Sequence, residues 1–217
     1  MEVISPYRAN LNKMRQENLG LAVKNCTKLL FEQGNLRPSI SQICSMSNTL
    51  PRTTLSRYFA SSSTPAVEHI IRLTLDQKGD QLVKEWLDYI FKDGIHAVDR
   101  LHNMPRNAFD YGFEHKYNPL WVIIQLSNLY PGPVKAEADR IIRWAGHKFA
   151  EQLKELDGKS IAPDAIEPLG LALMSSVITL SVLSDQSTDP LLFRYGLDSL
   201  NTLLGLAIKT QYLEARF

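Results

Sequence analysis

The residues best suited to chemistry form one short run, Arg52-Thr53-Thr54-Leu55-Ser56-Arg57-Tyr58-Phe59. Each guanidinium can donate two parallel hydrogen bonds to a guanine edge, and a threonine offers a base both a methyl and a hydroxyl. Groups of this kind bind and read. The patterns that carry catalysis are not found: the chain has no HExxH, no glycine-rich phosphate loop and no Glu-x-x-His pair of the di-iron bundle kind. Scattered Ser, His and Asp residues do not make a triad without geometry. Cys26 and Cys44 are the only cysteines, each set in an apolar pattern with no CxxC or Cys/His cluster, so they read as small core residues. The expectation is a protein that is not an enzyme, with no catalytic residues, metal or cofactor.

Charge points the same way. Of 217 residues, 44% are apolar, and the net charge is only +1. Residues 1 to 65, however, hold Arg8, Lys13, Arg15, Lys24, Lys28, Arg37, Arg52 and Arg57 against Glu2, Glu17 and Glu32, a net +5 that leaves the remainder at −4. A basic head on a mildly acidic body is the asymmetry expected where one end alone approaches nucleic acid. A solvated basic surface is the bland alternative. The N-terminus lacks a basic segment followed by an apolar run and a cleavage site, which predicts a reduced, cytoplasmic protein. The stretch from Pro168 to Leu183 is too short to span a bilayer and is interrupted by Ser175, Ser176, Thr179 and Ser181, so no membrane association is expected.

The elements that must position the Arg52 run can be read from periodicity. Residues 1 to 14 read as a flexible arm. From Glu17 to Gln33, Leu19, Ala22, Val23, Cys26, Leu29 and Leu30 fall on one helical face, and Gly34 closes the helix. Ser39 with Gln42 makes a capping box for a short helix carrying Ile40, Ile43 and Cys44 inward. Ser47-Asn48-Thr49 is turn-like, and Pro51 suits the first turn of a third helix that puts Leu55 and Phe59 inward. Two short helices and a tight turn, braced by a longer helix, are the parts of a helix-turn-helix unit. Beyond Ser61-Ser62-Ser63-Thr64-Pro65 the pattern is all-α. Helices are expected near 66–76, 78–102, 105–115, 118–129, 131–156, 164–186 and 189–213, with breaks at Gly94, Pro105, Pro119, Pro131-Gly132-Pro133, Asp157-Gly158 and Asp185 to Pro190. The last two are apolar on too many sides for a helix pair exposed on one face. They read either as a two-fold, four-helix contact between copies or as a deeply buried intrachain hairpin.

Leu29-Leu30-Phe31-Glu32-Gln33-Gly34, then Ile40 and Ile43, then Thr54-Leu55-Ser56-Arg57-Tyr58-Phe59 resemble the head of the tetracycline-repressor (TetR) family over about residues 17 to 65. The rest is similar in helical plan only. The resemblance implies an N-terminal helix-turn-helix DNA-binding domain over 1–65 and an all-helical regulatory and dimerisation domain over 66–217, acting as a homodimer on double-stranded DNA. It places the Arg52 to Phe59 helix in the major groove, with Arg52, Thr53 and Arg57 reading bases, and Thr54 and Tyr58 at positions that contact phosphate. Ser41 occupies another DNA-facing place. Three features depart from the family pattern. Around Asn48-Thr49-Leu50 there is one extra residue; Ser56 stands where a tyrosine is usual; Ser61-Ser62-Ser63 replaces a stretch that usually holds a phosphate-binding lysine. The last two changes weaken grip on the backbone and predict a shallower salt dependence. Arg8 and Lys13 of the arm are candidates to compensate.

The resemblance also implies a small, largely apolar effector held in the body. The aromatic and polar residues that qualify are Trp86, Tyr89, Phe91, His102, Phe109, Phe113, His115, Trp121 and Trp144, of which Trp86, His102, Phe113, His115 and Trp121 are singled out for ligand contact. The effector would alter the spacing of the two heads, with the helix near 66–76 as the lever. Two rivals stand beside the regulator: a helical interaction protein whose head has lost DNA binding, and an enzyme seated in the helical body.

Overall fold

Proline at a helix start gives up an N–H that would have no intrahelical partner, and the chain's first described helix begins that way. In the computed structural model, residues 6–47, 49–92, 94, 96–156 and 164–186 are described. Helix α1 runs Pro6–Thr27 and continues through a π-helical turn at Lys28–Glu32. The expected flexible arm is thus helical from Pro6 onward. Leu11 and Met14 are good helix formers but lie half exposed, at 48% and 52%, so no buried stripe advertised this part of the helix. Gly34 follows with φ 64°, a left-handed turn in which a side chain would run into the Tyr117 ring.

Helix α2 (Ile40–Ser45) has the capping box expected of Ser39 and Gln42: Ser39 Oγ accepts from the Gln42 amide at 3.2 Å, and Gln42 Oε1 accepts from the Ser39 amide at 2.8 Å. Helix α3 (Arg52–Tyr58) starts at Arg52, and Pro51, at an extended ψ of 134°, serves as its cap and not as a first-turn residue. Helix α4 (Ala66–Thr74) passes through a second π-helical turn, Leu75–Gly79, into α5 (Asp80–Ile90). The expected boundary between 76 and 78 is therefore a widened turn within one rod.

The expected helix 78–102 stops at Ile90, and Gly94, at φ 129°, belongs to the link before α6 (Ala97–Glu114). Helix α6 in turn runs straight through Pro105, which was expected to break it. Burial of Leu101, Met104 and Ala108 along one face offsets the backbone bond that the proline removes. Helices α7 (Pro119–Leu129), α8 (Pro133–Glu155) and α9 (Ile166–Gln186) match expectation closely. Helix α9 packs on both α6 and α8, so closely that a Cβ at Gly170 would lie 2.7 Å from the Ala150 backbone nitrogen. The expected helix 189–213, and with it half of the proposed contact between copies, lies outside the described residues.

The described residues form helices and turns and no strand, so the all-α expectation holds. None of these helices is long and apolar enough to cross a membrane. One continuous buried cluster joins Ala22, Cys26 and Leu30 of the first helix, Ile70 and Ile71 of α4, Trp86 and Ile90 of α5, and Ile141 and Phe149 of α8.

Candidate functional site

Helix α3 is held by its inward side chain. Leu55 is fully buried against the cluster that includes Ile43 and Leu50, which turns Arg52, Thr53, Ser56 and Arg57 outward to solvent. Thr54 and Tyr58 are half-buried at the edge of that face, and Ser41 is exposed on α2. The helix thus presents its two guanidinium groups with small hydroxyl residues beside them. Such a surface offers ten fork-arranged N–H donors (five per arginine) and no carboxylate.

The turn between α2 and α3 carries a side chain into the core and bonds within itself. Leu50 is buried at 3% exposure, Ser47 Oγ lies 2.9 Å from Thr49 Oγ1, and the Leu50 amide donates to the Ser47 carbonyl. Asn48 lies outside the described residues. From the other side, α1 grips the end of α3: Asn18 Nδ2 donates to the Tyr58 hydroxyl at 2.9 Å, and the Arg15 guanidinium lies 5.2 Å above the Tyr58 ring. A cavity of about 480 Å³ opens between these helices, lined by Leu11, Met14, Arg15, Asn18, Thr54 and Tyr58 among others. The side chain of Arg8 lies outside what is described, while Lys13 is exposed on the same helix.

Cys26 and Cys44 are free and buried, as expected of core residues. Among the described residues no cluster of His, Cys, Asp and Glu could hold a metal ion.

The five residues singled out for ligand contact are scattered. Trp86 is fully buried on α5, where its indole nitrogen has no hydrogen-bond partner. His102 is exposed in the second turn of α6 and His115 is exposed at its carboxy-terminal cap, where it stacks on Tyr111 with ring centroids 4.2 Å apart. Trp121 is half-buried on α7, and Phe113 falls near the end of α6, its side chain outside the description. None of these five lines the cavity of about 560 Å³ that opens between α5, α6 and α8. Of the aromatics in the wider set, Phe91 and Trp144 do, together with Lys84, Leu87, Asp88, Arg100, Lys148, Gln152 and Glu155. Periodicity cannot find such a site. Its charged residues come from helices that are distant in sequence, and each looks locally like a solvated position.

Between these two regions lie direct contacts. Tyr130 at the end of α7 donates its hydroxyl to the Leu36 carbonyl at 3.1 Å, and burial pushes its phenol above the usual range while Arg37 opposes the shift. Tyr117 sits against Gly34, and Thr74 of α4 lies beside Cys26 of α1. Compared in sequence with protein-family models and with curated proteins, the chain finds no match to either.

Proposed function

We propose that this chain is a ligand-responsive, helix-turn-helix transcriptional regulator of the tetracycline-repressor type, acting as a homodimer on a palindromic operator. The observation that carries the reading is the outward face of α3, where Arg52, Thr53, Ser56 and Arg57 project from a helix anchored by Leu55. In this reading residues 1–65 are the DNA-binding domain and residues 66–217 the regulatory and dimerisation domain. Arg52 and Arg57 read base edges in the major groove, and Thr54, Tyr58 and Ser41 set the register against phosphates. The Tyr58 hydroxyl accepts from Asn18 and keeps its own proton to donate to a phosphate oxygen. The exposed face of α9, with Leu171, Ala172, Ser175 and Thr179, belongs to the contact between copies. Its hydroxyls bond back to their own helix, Ser175 to the Leu171 carbonyl and Thr179 to the Ser175 carbonyl, which leaves methyl and methylene surface outward.

The test is binding of the purified protein to DNA from its own upstream region, against a scrambled competitor, at several salt concentrations. Selective binding at physiological salt that falls about tenfold or more in Arg52→Ala or Arg57→Ala is the expected result. Absence of any sequence preference in that assay counts against the reading.

A second reading, a protein-docking module, is favoured by one feature. Leu11 and Met14 expose apolar surface beside α3 and line the cavity there, which suits a partner protein better than a phosphate backbone. The DNA titration separates the two: docking to protein alone predicts no sequence-selective binding at any salt concentration and no effect of Arg52→Ala or Arg57→Ala on the residual DNA affinity beyond that of removing one positive charge.

A further inference from the structure

We propose that the cleft between α5, α6 and α8 binds a small aromatic carboxylate, with Arg100 taking the carboxylate and Trp144 and Phe91 holding the ring. At about 560 Å³ the cleft has the volume of a small-molecule site. Its walls divide by chemistry. Trp144 and Phe91 are half-buried, and Phe91 is backed edge-on by the buried Phe149 at 5.1 Å, a firm support for a planar ring.

The polar wall centres on Arg100, whose side chain is only 17% exposed. Its Nε donates to Gln152 Oε1 at 2.7 Å, and its Nη2 pairs with Glu155. These bonds fix the guanidinium plane before any ligand arrives. Glu155 is the last residue of α8 and is more than half exposed, so its pairing with Arg100 is of the weak, solvent-screened kind. A ligand carboxylate can take its place, which keeps Arg100 paired throughout and avoids the cost of a bare buried charge. Lys148 is paired with Glu151 at 2.8 Å, so the lining sets Lys84 and Arg100 against Asp88 and Glu155, and displacing Glu155 leaves one net positive charge that favours an anion over a neutral or cationic guest.

Binding stands on the geometry of the body alone. Its use as the effector site rests on the regulator reading, and it makes that effector an amphipathic anion where the sequence suggested a largely apolar molecule. Freeing Glu155 also loosens the end of α8 from α6, a local change that differs between bound and free states.

The experiment is isothermal titration of the full chain, without DNA, using 2-naphthoate and its neutral counterpart 2-naphthamide. Naphthoate is expected to bind at least about tenfold more tightly than naphthamide, and Arg100→Gln to remove that difference. Glu155→Gln is expected to tighten naphthoate by a few-fold, because the competing carboxylate is gone, a gain that a purely structural ion pair would not give. Circular dichroism checks that Arg100→Gln is folded; if it is not, the comparison of the two ligands on the native chain and the Glu155→Gln result decide. Equal affinity for the two ligands, no heat from naphthoate at about 1 mM, or weaker binding in Glu155→Gln would overturn the proposal. Because DNA plays no part, failure here and failure of the regulator reading are read separately.

Discussion

Asn25 shows how one polar side chain can set the angle of a neighbouring helix. It is 4% exposed on α1, and its Nδ2 donates to the Ile43 carbonyl at 2.9 Å. Helix α2 is short, so the Ile43 carbonyl is among its last four and has no intrahelical partner. Asn25→Ala leaves that acceptor buried and unpaired, and should cost about 1–3 kcal/mol in urea unfolding, with α2 free to tilt. An unchanged midpoint would mean that water takes over the bond. Cys26, one residue on, is a different case. Burial pushes its thiol from 9.0 up to about 12, although Thr74 pulls the other way. Because the folded state prefers the neutral thiol, its contribution is complete below pH 9 and is lost as pH rises from there toward 12. Iodoacetamide should therefore leave Cys26 unmodified in the folded chain at pH 8, while mass spectrometry of urea-unfolded protein finds it alkylated. The sequence places Cys26 on the apolar face of its helix but does not single out Asn25, and it does not show their partners, which lie on α2 and α4.

At the scale of elements, legibility followed burial and capping. Ser39 and Gln42 are legible because a capping box is a local pattern, and the structure contains both of its bonds. Ser39→Ala is expected to cost about 1 kcal/mol, and Gln42→Ala less. A double-mutant cycle by chemical denaturation should give a positive coupling, since each bond orients the other partner; strict additivity would show the two acting alone. Helix α7, with Pro119 in its first turn and Asn118 Oδ1 accepting from the Leu120 and Trp121 amides, was equally plain. Where the local rule and tertiary packing disagree, packing prevails. Pro105 should end a helix, yet it is buried within α6, whose carboxy-terminal part is tied to α5 by the bond from Asn107 Nδ2 to the Ile90 carbonyl at 3.1 Å. Pro6 to Met14 should be loose for want of an apolar stripe, yet they continue a helix whose later turns are buried. The turn before α3 reads as holding one extra residue around Asn48-Thr49-Leu50, and the sequence does not show that Leu50 of that stretch enters the core. The five-residue ligand set failed to converge for a related reason. Aromatic residues at helical spacing identify a core, whereas the cleft was assembled from charges that periodicity assigns to solvent.

Across the whole molecule, the charge asymmetry suggests a head and a body, but the buried side chains do not divide there. Cys26 and Leu30 share one cluster with Ile70, Trp86 and Phe149. Tyr130 adds a polar tie across the same junction, its hydroxyl donating to the Leu36 carbonyl. Two units with separate cores would unfold in separate steps, whereas a shared core predicts a single cooperative one. The chain carries its own probes for this distinction. Trp86, Trp121 and Trp144 all lie beyond residue 65, so indole fluorescence reports the body, while Cys26 and Cys44 lie before it, so thiol exposure reports the head. In urea the two signals should coincide. Tyr130→Phe, which removes one hydrogen bond from the junction, should shift both midpoints together by an amount equivalent to about 1 kcal/mol. If only the thiol signal moved, residues 1–65 would be a separate cooperative unit, and the cluster shared by Cys26, Leu30, Ile70 and Trp86 would not couple the two parts in unfolding.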